Sequence, residues 1–199
     1  MRRFNRYYRQ CARSFLSYCG RWLYPEALAA FEHARDESAP LPCAQANLTC
    51  TVTCNERGVL SLYSDCTEWA GTPEALTLRR ADTWNLETGY PITASECFPR
   101  GTRVRALCLT AAREQCRRQQ ESSLAVYHPD FSRRLRRNLN LRNFYLSEKG
   151  FHFFYQPWAI APGFEGCPTF LLPFSDSETD AAGPLWPAGN PCNAEKSIV

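Results

Sequence analysis

The sequence predicts an α+β fold, a mainly antiparallel sheet with helices packed on one face. Three observations carry that reading. Predicted elements run helix, strands, helices, strands without the βαβ alternation of a parallel sheet. Two hairpin signals stand far apart in the chain. The composition of the 199 residues (44% hydrophobic, 13% aromatic, 22% charged) is globular, which excludes collagenous, coiled-coil and wholly disordered chains. No apolar run approaches the roughly 18 to 20 residues of a membrane span. Residues 1–174 read as one domain, long enough to bury about 70% of its unfolded surface.

The first element is an amphipathic helix. Phe4, Tyr7, Tyr8, Cys11, Phe15, Tyr18, Cys19 and Trp22 recur at helical spacing with arginine on the other face. Its aromatic stripe is expected against the sheet rather than on a membrane surface. Asp36 to Pro42 forms a turn-rich connection in which proline stops the helix. Leu48 to Cys54 alternates apolar residues with threonine, and Val59 to Tyr63 resumes the pattern after Asn55-Glu56-Arg57-Gly58, giving a hairpin. Ala75 to Leu86 is a third strand ending in the turn Glu87-Thr88-Gly89-Tyr90-Pro91.

Thr102 is the expected N-cap of a helix whose stripe is Val104, Leu107, Cys108, Ala111 and Ala112. Asp130 is expected to cap a shorter helix with Phe131, Leu135 and Leu139 on one stripe and Arg133, Arg134, Arg136 and Arg137 facing solvent. Asn143 to Leu146 and Phe151 to Tyr155 flank Ser147-Glu148-Lys149-Gly150 as the second hairpin, and Thr169 to Phe174 is the last strand. Residues 175–199, rich in Ser, Asp, Gly and Pro, are expected to be a disordered tail.

Charge is unevenly spread. Residues 100–142 carry eleven arginines against Glu114, Glu121 and Asp130, while the flanking regions are net acidic. The run reads as a solvated face, which argues against nucleic acid as a partner; binding through these helices would weaken steeply with salt. At the start, Arg6, Arg9 and Arg13 break the apolar stretch a signal peptide needs, which favours the cytoplasm.

The eleven cysteines contain no C-x-x-C pair, and His33, His128 and His152 are solitary, so no metal site and no cofactor are expected. Cys50 and Cys54 are expected on one strand face, about 13 Å apart and beyond disulfide reach. Cys11 and Cys19, like Cys108 and Cys116, are about 12 Å apart along their helices. Structural thiols are the expectation.

No acid, base and nucleophile assemble into a catalytic motif, and Glu148 with His152 is the weak remaining pair. Trp69, Gly71, Pro73 and Glu74 form a loop whose aromatic and rigid residues suit partner binding, and Trp158 is a second interaction anchor if it is exposed. The binding candidates are therefore Trp69, Gly71, Glu74 and Trp158.

Several ordered segments carry a resemblance: Asp82-Thr83-Trp84-Asn85-Leu86-Glu87-Thr88-Gly89, Phe144 to Gly150, Ile160-Ala161-Pro162-Gly163-Phe164-Glu165-Gly166, and Leu172-Pro173-Phe174. Together with Phe4-Asn5-Arg6-Tyr7-Tyr8-Arg9 they resemble the RsiV-like domain of unknown function of Gram-positive bacteria, over roughly residues 4–174. The resemblance implies a compact α+β domain displayed outside the cell, related to the lysozyme-sensing part of an anti-sigma factor and to modules attached to peptidoglycan deacetylases. It further implies a non-catalytic binding role with a lysozyme-like protein partner. The sequence departs from the family where Gly71-Thr72-Pro73-Glu74 replaces a Gly-Gly-Ala-His turn, placing Glu74 where the histidine would be. The family usually has a strand before the first helix, whereas this sequence opens on the helix itself, so that either the start is truncated or one edge of the sheet differs. The alternatives are an enzyme acting on cell-wall glycan, or a thiol-dependent catalyst, which would require a cysteine of lowered pKa.

Overall fold

A computed structural model describes residues 2–40, 42–70, 75–174 and 184–187. Helices α1 (Arg2–Tyr18) and α2 (Tyr24–Asp36) form one rod, joined by a π-helical turn at Cys19–Leu23. The Tyr24 N–H reaches back to the Cys19 carbonyl, and Pro25 beside it has no N–H to give, so the α-helical ladder is interrupted where proline removes a rung. The inward stripe runs Phe4, Tyr8, Cys11, Phe15, Cys19 and Leu23. Leu23 takes the place expected of Trp22, which points to solvent across the π turn.

The first sheet has the order β1 (Ala44–Glu56), β2 (Val59–Ala70), β3 (Leu76–Asn85), β4 (Tyr90–Pro91). Its first hairpin turns on Arg57 and Gly58 at φ 49° and 72°, the paired left-handed conformations of a tight hairpin turn compatible with strand twist. A bulge between Val52 and Cys54 shifts the register, so Cys54 faces the opposite side from Cys50. The expectation of a shared face fails there, because an extra residue reverses the two-residue alternation. Cys54 is buried and Cys50 exposed.

The second sheet is β5 (Phe144–Ser147), β6 (Gly150–Phe154), β7 (Thr169–Pro173). The architecture is thus α+β and antiparallel throughout, as the sequence predicts, with the strands divided between two sheets rather than gathered in one. Register sorts the faces of the first sheet. Asp82 and Trp84 meet the first helix, where Tyr8 Oη donates to Asp82 at 2.9 Å and Trp84 Nε1 donates to Tyr8 Oη at 3.1 Å. The stripe of α1 therefore packs on a sheet of its own domain, as expected. Ser61, Thr83 and Tyr63, on the other face, meet the second sheet.

That junction is held by side chains acting as strand partners. Ser61 Oγ accepts from the Leu146 N–H at 2.8 Å and Thr53 Oγ1 donates to the Leu146 carbonyl at 2.7 Å, satisfying the open edge of β5. Gln156 does the same for β3, accepting from the Arg79 N–H at 3.0 Å and donating to the Arg79 carbonyl at 2.6 Å. Gln115 closes β7 through both backbone groups of Leu171 at 2.8 and 3.2 Å. Unpaired strand edges are thereby covered.

Helices α3 (Val104–Glu121) and α4 (Phe131–Asn138) complete the fold. Val104, Cys108, Ala112 and Cys116 of α3 and Leu135 and Leu139 near α4 join Phe144, Leu146, Phe151, Phe153, Tyr155, Ile160 and Phe170 in one core. Two expected caps do not form. Arg103, not Thr102, is the N-cap of α3, with no side-chain cap. Asp130 occupies the N-cap of α4 without capping it, because its carboxylate pairs with Arg134 Nε at 2.6 Å.

Most of the expected disordered tail lies outside the described residues, but 184–187 are laid on the core. The Leu185 N–H donates to the Cys97 carbonyl at 2.7 Å, Pro184 is fully buried, and the Trp186 ring lies 5.7 Å from that of Phe174. Composition underweighted this segment because a few apolar residues suffice to dock it.

Candidate functional site

Trp158 stands at φ 66°, a left-handed conformation rare for a bulky side chain and costing on the order of 1–3 kcal/mol. Its neighbours enforce it. Before it, Tyr155 is fully buried and donates its hydroxyl to the Leu135 carbonyl at 3.1 Å, and Gln156 is clamped on β3. After it, the Ala159 carbonyl accepts from Asn138 Nδ2 at 2.8 Å, the Ile160 carbonyl accepts from the His128 N–H at 3.1 Å, and Ile160 and Ala161 are buried. The indole is laid on Gly163, where any β-carbon would overlap it. Even so, Trp158 remains 52% exposed.

This indole forms one wall of a cleft of about 520 Å³; the other is α4, with Arg133, Arg134, Arg137 and Asn138. Arg134 is neutralised by Asp130, whose carboxyl it holds below the usual carboxylate range. Arg133 and Arg137 have no hydrogen bond or ion pair among the described residues, and their spacing places them on one helix face. Arg105 fixes α4 by donating to the Leu139 and Arg136 carbonyls at 3.0 and 2.7 Å, a cation at a helix C-terminus. The arrangement offers a flat aromatic surface, two unpaired guanidinium groups and a carboxamide.

The other candidates are dispersed. Trp69, at the end of β2, is 42% exposed and lines a separate groove of about 420 Å³ with Tyr18, Leu23 and Leu76. No residue is common to the two cavities. Gly71, Pro73 and Glu74 lie outside the described residues. Arg133 and Arg137 are exposed, in keeping with their reading as a solvated face, and the fold sets them across the cleft from Trp158.

Glu148 and His152 do not pair. His152 Nε2 instead shares a hydrogen bond with Ser147 Oγ at 2.8 Å, and its ring stacks on Tyr145 at 4.8 Å. Burial, then the Lys149 charge, lowers the His152 pKa. Ser147 Oγ also accepts the Lys149 N–H at 3.1 Å, so the hydroxyl closes the hairpin.

The ten described cysteines are all free thiols. Burial pushes Cys97, Cys108 and Cys116 up to about 12 and Cys66 up to about 11, and raises Cys54 and Cys167 as well. Desolvation disfavours the thiolate that a nucleophile needs. Among the described residues no three His, Cys, Asp or Glu side chains converge as a metal site, and no helix is long and apolar enough to cross a membrane.

Fold and cleft define a two-sheet α+β domain bearing a basic, aromatic cleft. Residues 98–175, from the end of the first sheet through the second, match the family DUF3298, a protein of unknown function. No curated protein matches the chain. A DUF3298 family member from Bacteroides fragilis has a similar structure, with TM-score 0.59 and 14% identity over 91% of this chain and 71% of that one. A DUF3298 family protein from Pseudomonas aeruginosa has TM-score 0.49 and 16% identity over 73% of this chain and 65% of its own length. The first of these likenesses concerns the fold.

Proposed function

We propose that the chain is a non-catalytic binding domain whose recognition site is the Trp158 cleft. The observation that carries this reading is the exposed indole, held at a strained backbone angle against Gly163 and facing unpaired Arg133 and Arg137. Strain at an exposed aromatic that contributes nothing to the core is characteristic of a ligand-facing position, and Trp and Arg dominate the energetics of recognition surfaces. At Cys54, Cys66, Cys97, Cys108, Cys116 and Cys167 the raised thiol pKa weighs against a nucleophilic role.

The RsiV-like resemblance extends the proposal to its partner, a lysozyme-like protein or the peptidoglycan it acts on. The test is titration of the purified chain with lysozyme and with peptidoglycan fragments. Saturable binding that falls with Trp158→Ala is the expected result. Binding unaffected by that substitution moves the recognition site elsewhere, and no binding to either removes both partners.

A further inference from the structure

The cleft's chemistry points to its ligand class, given the reading that Trp158 marks the recognition site. We propose that the cleft takes a sugar ring bearing an anionic group, a carboxylate or a phosphate. A cleft of about 520 Å³ is in the range of small-ligand sites, with room for one or two rings. The indole has one surface occupied by Gly163 and stays half exposed, so it presents a fixed apolar plane for the C–H face of a pyranose. Its strained backbone keeps the plane in place before the ligand arrives, which lowers the ordering cost of binding.

Opposite the indole, Arg133 and Arg137 are one helical turn apart with no partner among the described residues, while Arg134 is already neutralised by Asp130. Two free guanidinium forks match a carboxylate or phosphate in a bidentate manner. Asn138 donates Nδ2 to the Ala159 carbonyl, which leaves Oδ1 at the cleft as an acceptor for a hydroxyl. An acidic peptide would satisfy the arginines but has no ring to set on the indole. A neutral sugar would satisfy the indole but leave the two exposed guanidinium groups to water, forgoing the charge-assisted contacts.

The experiment is calorimetric or ligand-observed NMR titration of the full chain with D-glucuronate, glucose 6-phosphate, glucose and poly-glutamate. Saturable binding of at least one of the two acid sugars is expected, with glucose about tenfold weaker or worse, the loss of one charge-assisted contact. The variants Trp158→Ala and Arg133→Gln/Arg137→Gln should each weaken the acid sugar about tenfold. Gly163→Ala, which keeps the indole but displaces it, should do the same while the thermal transition stays near that of the unaltered chain. Failure of both acid sugars to bind, equal binding of glucose, or binding of poly-glutamate alone overturns the proposal. If lysozyme or peptidoglycan binding still depends on Trp158 while both acid sugars fail, the ligand class is wrong and the recognition site stands. If neither depends on Trp158, the site itself falls.

Discussion

Two regions of the molecule with a similar share of apolar side chains use them in opposite ways. From Cys97 to Leu172 most apolar residues close on one another, with Leu124, Val126, Trp158 and Phe164 left open: Cys97, Cys108, Leu135, Leu146, Phe151 and Tyr155 are fully buried in a single cluster. In the rod of α1 and α2, Leu16 is 69% exposed and Trp22 64%, with Tyr24 and Leu28 also open. The rod is fastened at its start by the Tyr8–Asp82–Trp84 network and further along by the Tyr18 hydroxyl on Glu68 at 3.1 Å. Hydrophobic content alone therefore does not measure stability; area removed from water does. The segment matching DUF3298 coincides with the well-packed region.

The widest contrast comes from matched truncations. Phe153→Ala removes a ring 1% exposed and should cost about 3–5 kcal/mol. Leu16→Ala on the rod should change stability by no more than about 0.5 kcal/mol. Chemical denaturation of the two variants measures the difference, and similar losses would mean that the rod is covered in solution.

A smaller effect is expected at the seam between the two sheets. Arg79 makes two 2.8 Å hydrogen bonds to Asp65, both largely buried, and lies 4.1 Å from the Tyr63 ring centre. The paired carboxylate keeps the guanidinium charged, raising its pKa. Arg79→Ala strands the Asp65 charge and should cost about 3 kcal/mol, whereas replacing both residues by apolar ones should cost less. Denaturation of the single and double variants tests this, and equal losses would show that the ion pair is not the unit that matters.

Smaller again is Tyr8→Phe, which deletes the hydroxyl linking Asp82 to Trp84 and should cost about 1 kcal/mol. Hydrogen exchange should accelerate across α1 while the amides of β5 to β7 stay protected. Acceleration in both regions would mean that they unfold together.

What the sequence makes legible follows the same division. The Phe144–Tyr155 hairpin and the α3 stripe were readable because alternation and helical spacing are local properties that burial then confirms. The side-chain partners of the strand edges, Gln156 on Arg79 and Gln115 on Leu171, were not, since a glutamine gives no sign of which distant backbone it will meet. Trp158 was visible as a candidate, but Arg133 and Arg137 were only part of a charge run until the fold set them along the same cleft. The bulge at Val52 and Cys54 escaped for a similar reason: alternation in the sequence continues through it while the backbone does not.

The smallest expected effect is one of pH, at the hairpin that joins the two sheets. His152 is held neutral by burial and by Lys149, so its folded pKa lies below the unfolded value of roughly 6.5. Below that unfolded value the unfolded chain binds the proton more readily, and stability falls as pH drops until it passes the folded pKa, beneath which the penalty is complete. Above about pH 8 the ring is neutral in both states and contributes no slope. Around the ring stand Tyr145 in the stack, Ser147 at Nε2, Lys149 and Glu148 in the adjoining turn, Tyr63, Thr51 and Thr53 of the first sheet, and Leu171 across the ladder. His152→Gln keeps a hydrogen-bonding group beside Ser147 but cannot take up the proton. Its stability curve should therefore be flatter than that of the unaltered chain between about pH 6.5 and the folded pKa. If the two curves stay parallel, the ring is as accessible to protons in the fold as in the open chain, and the tight packing of the second sheet stops short of its outer hairpin.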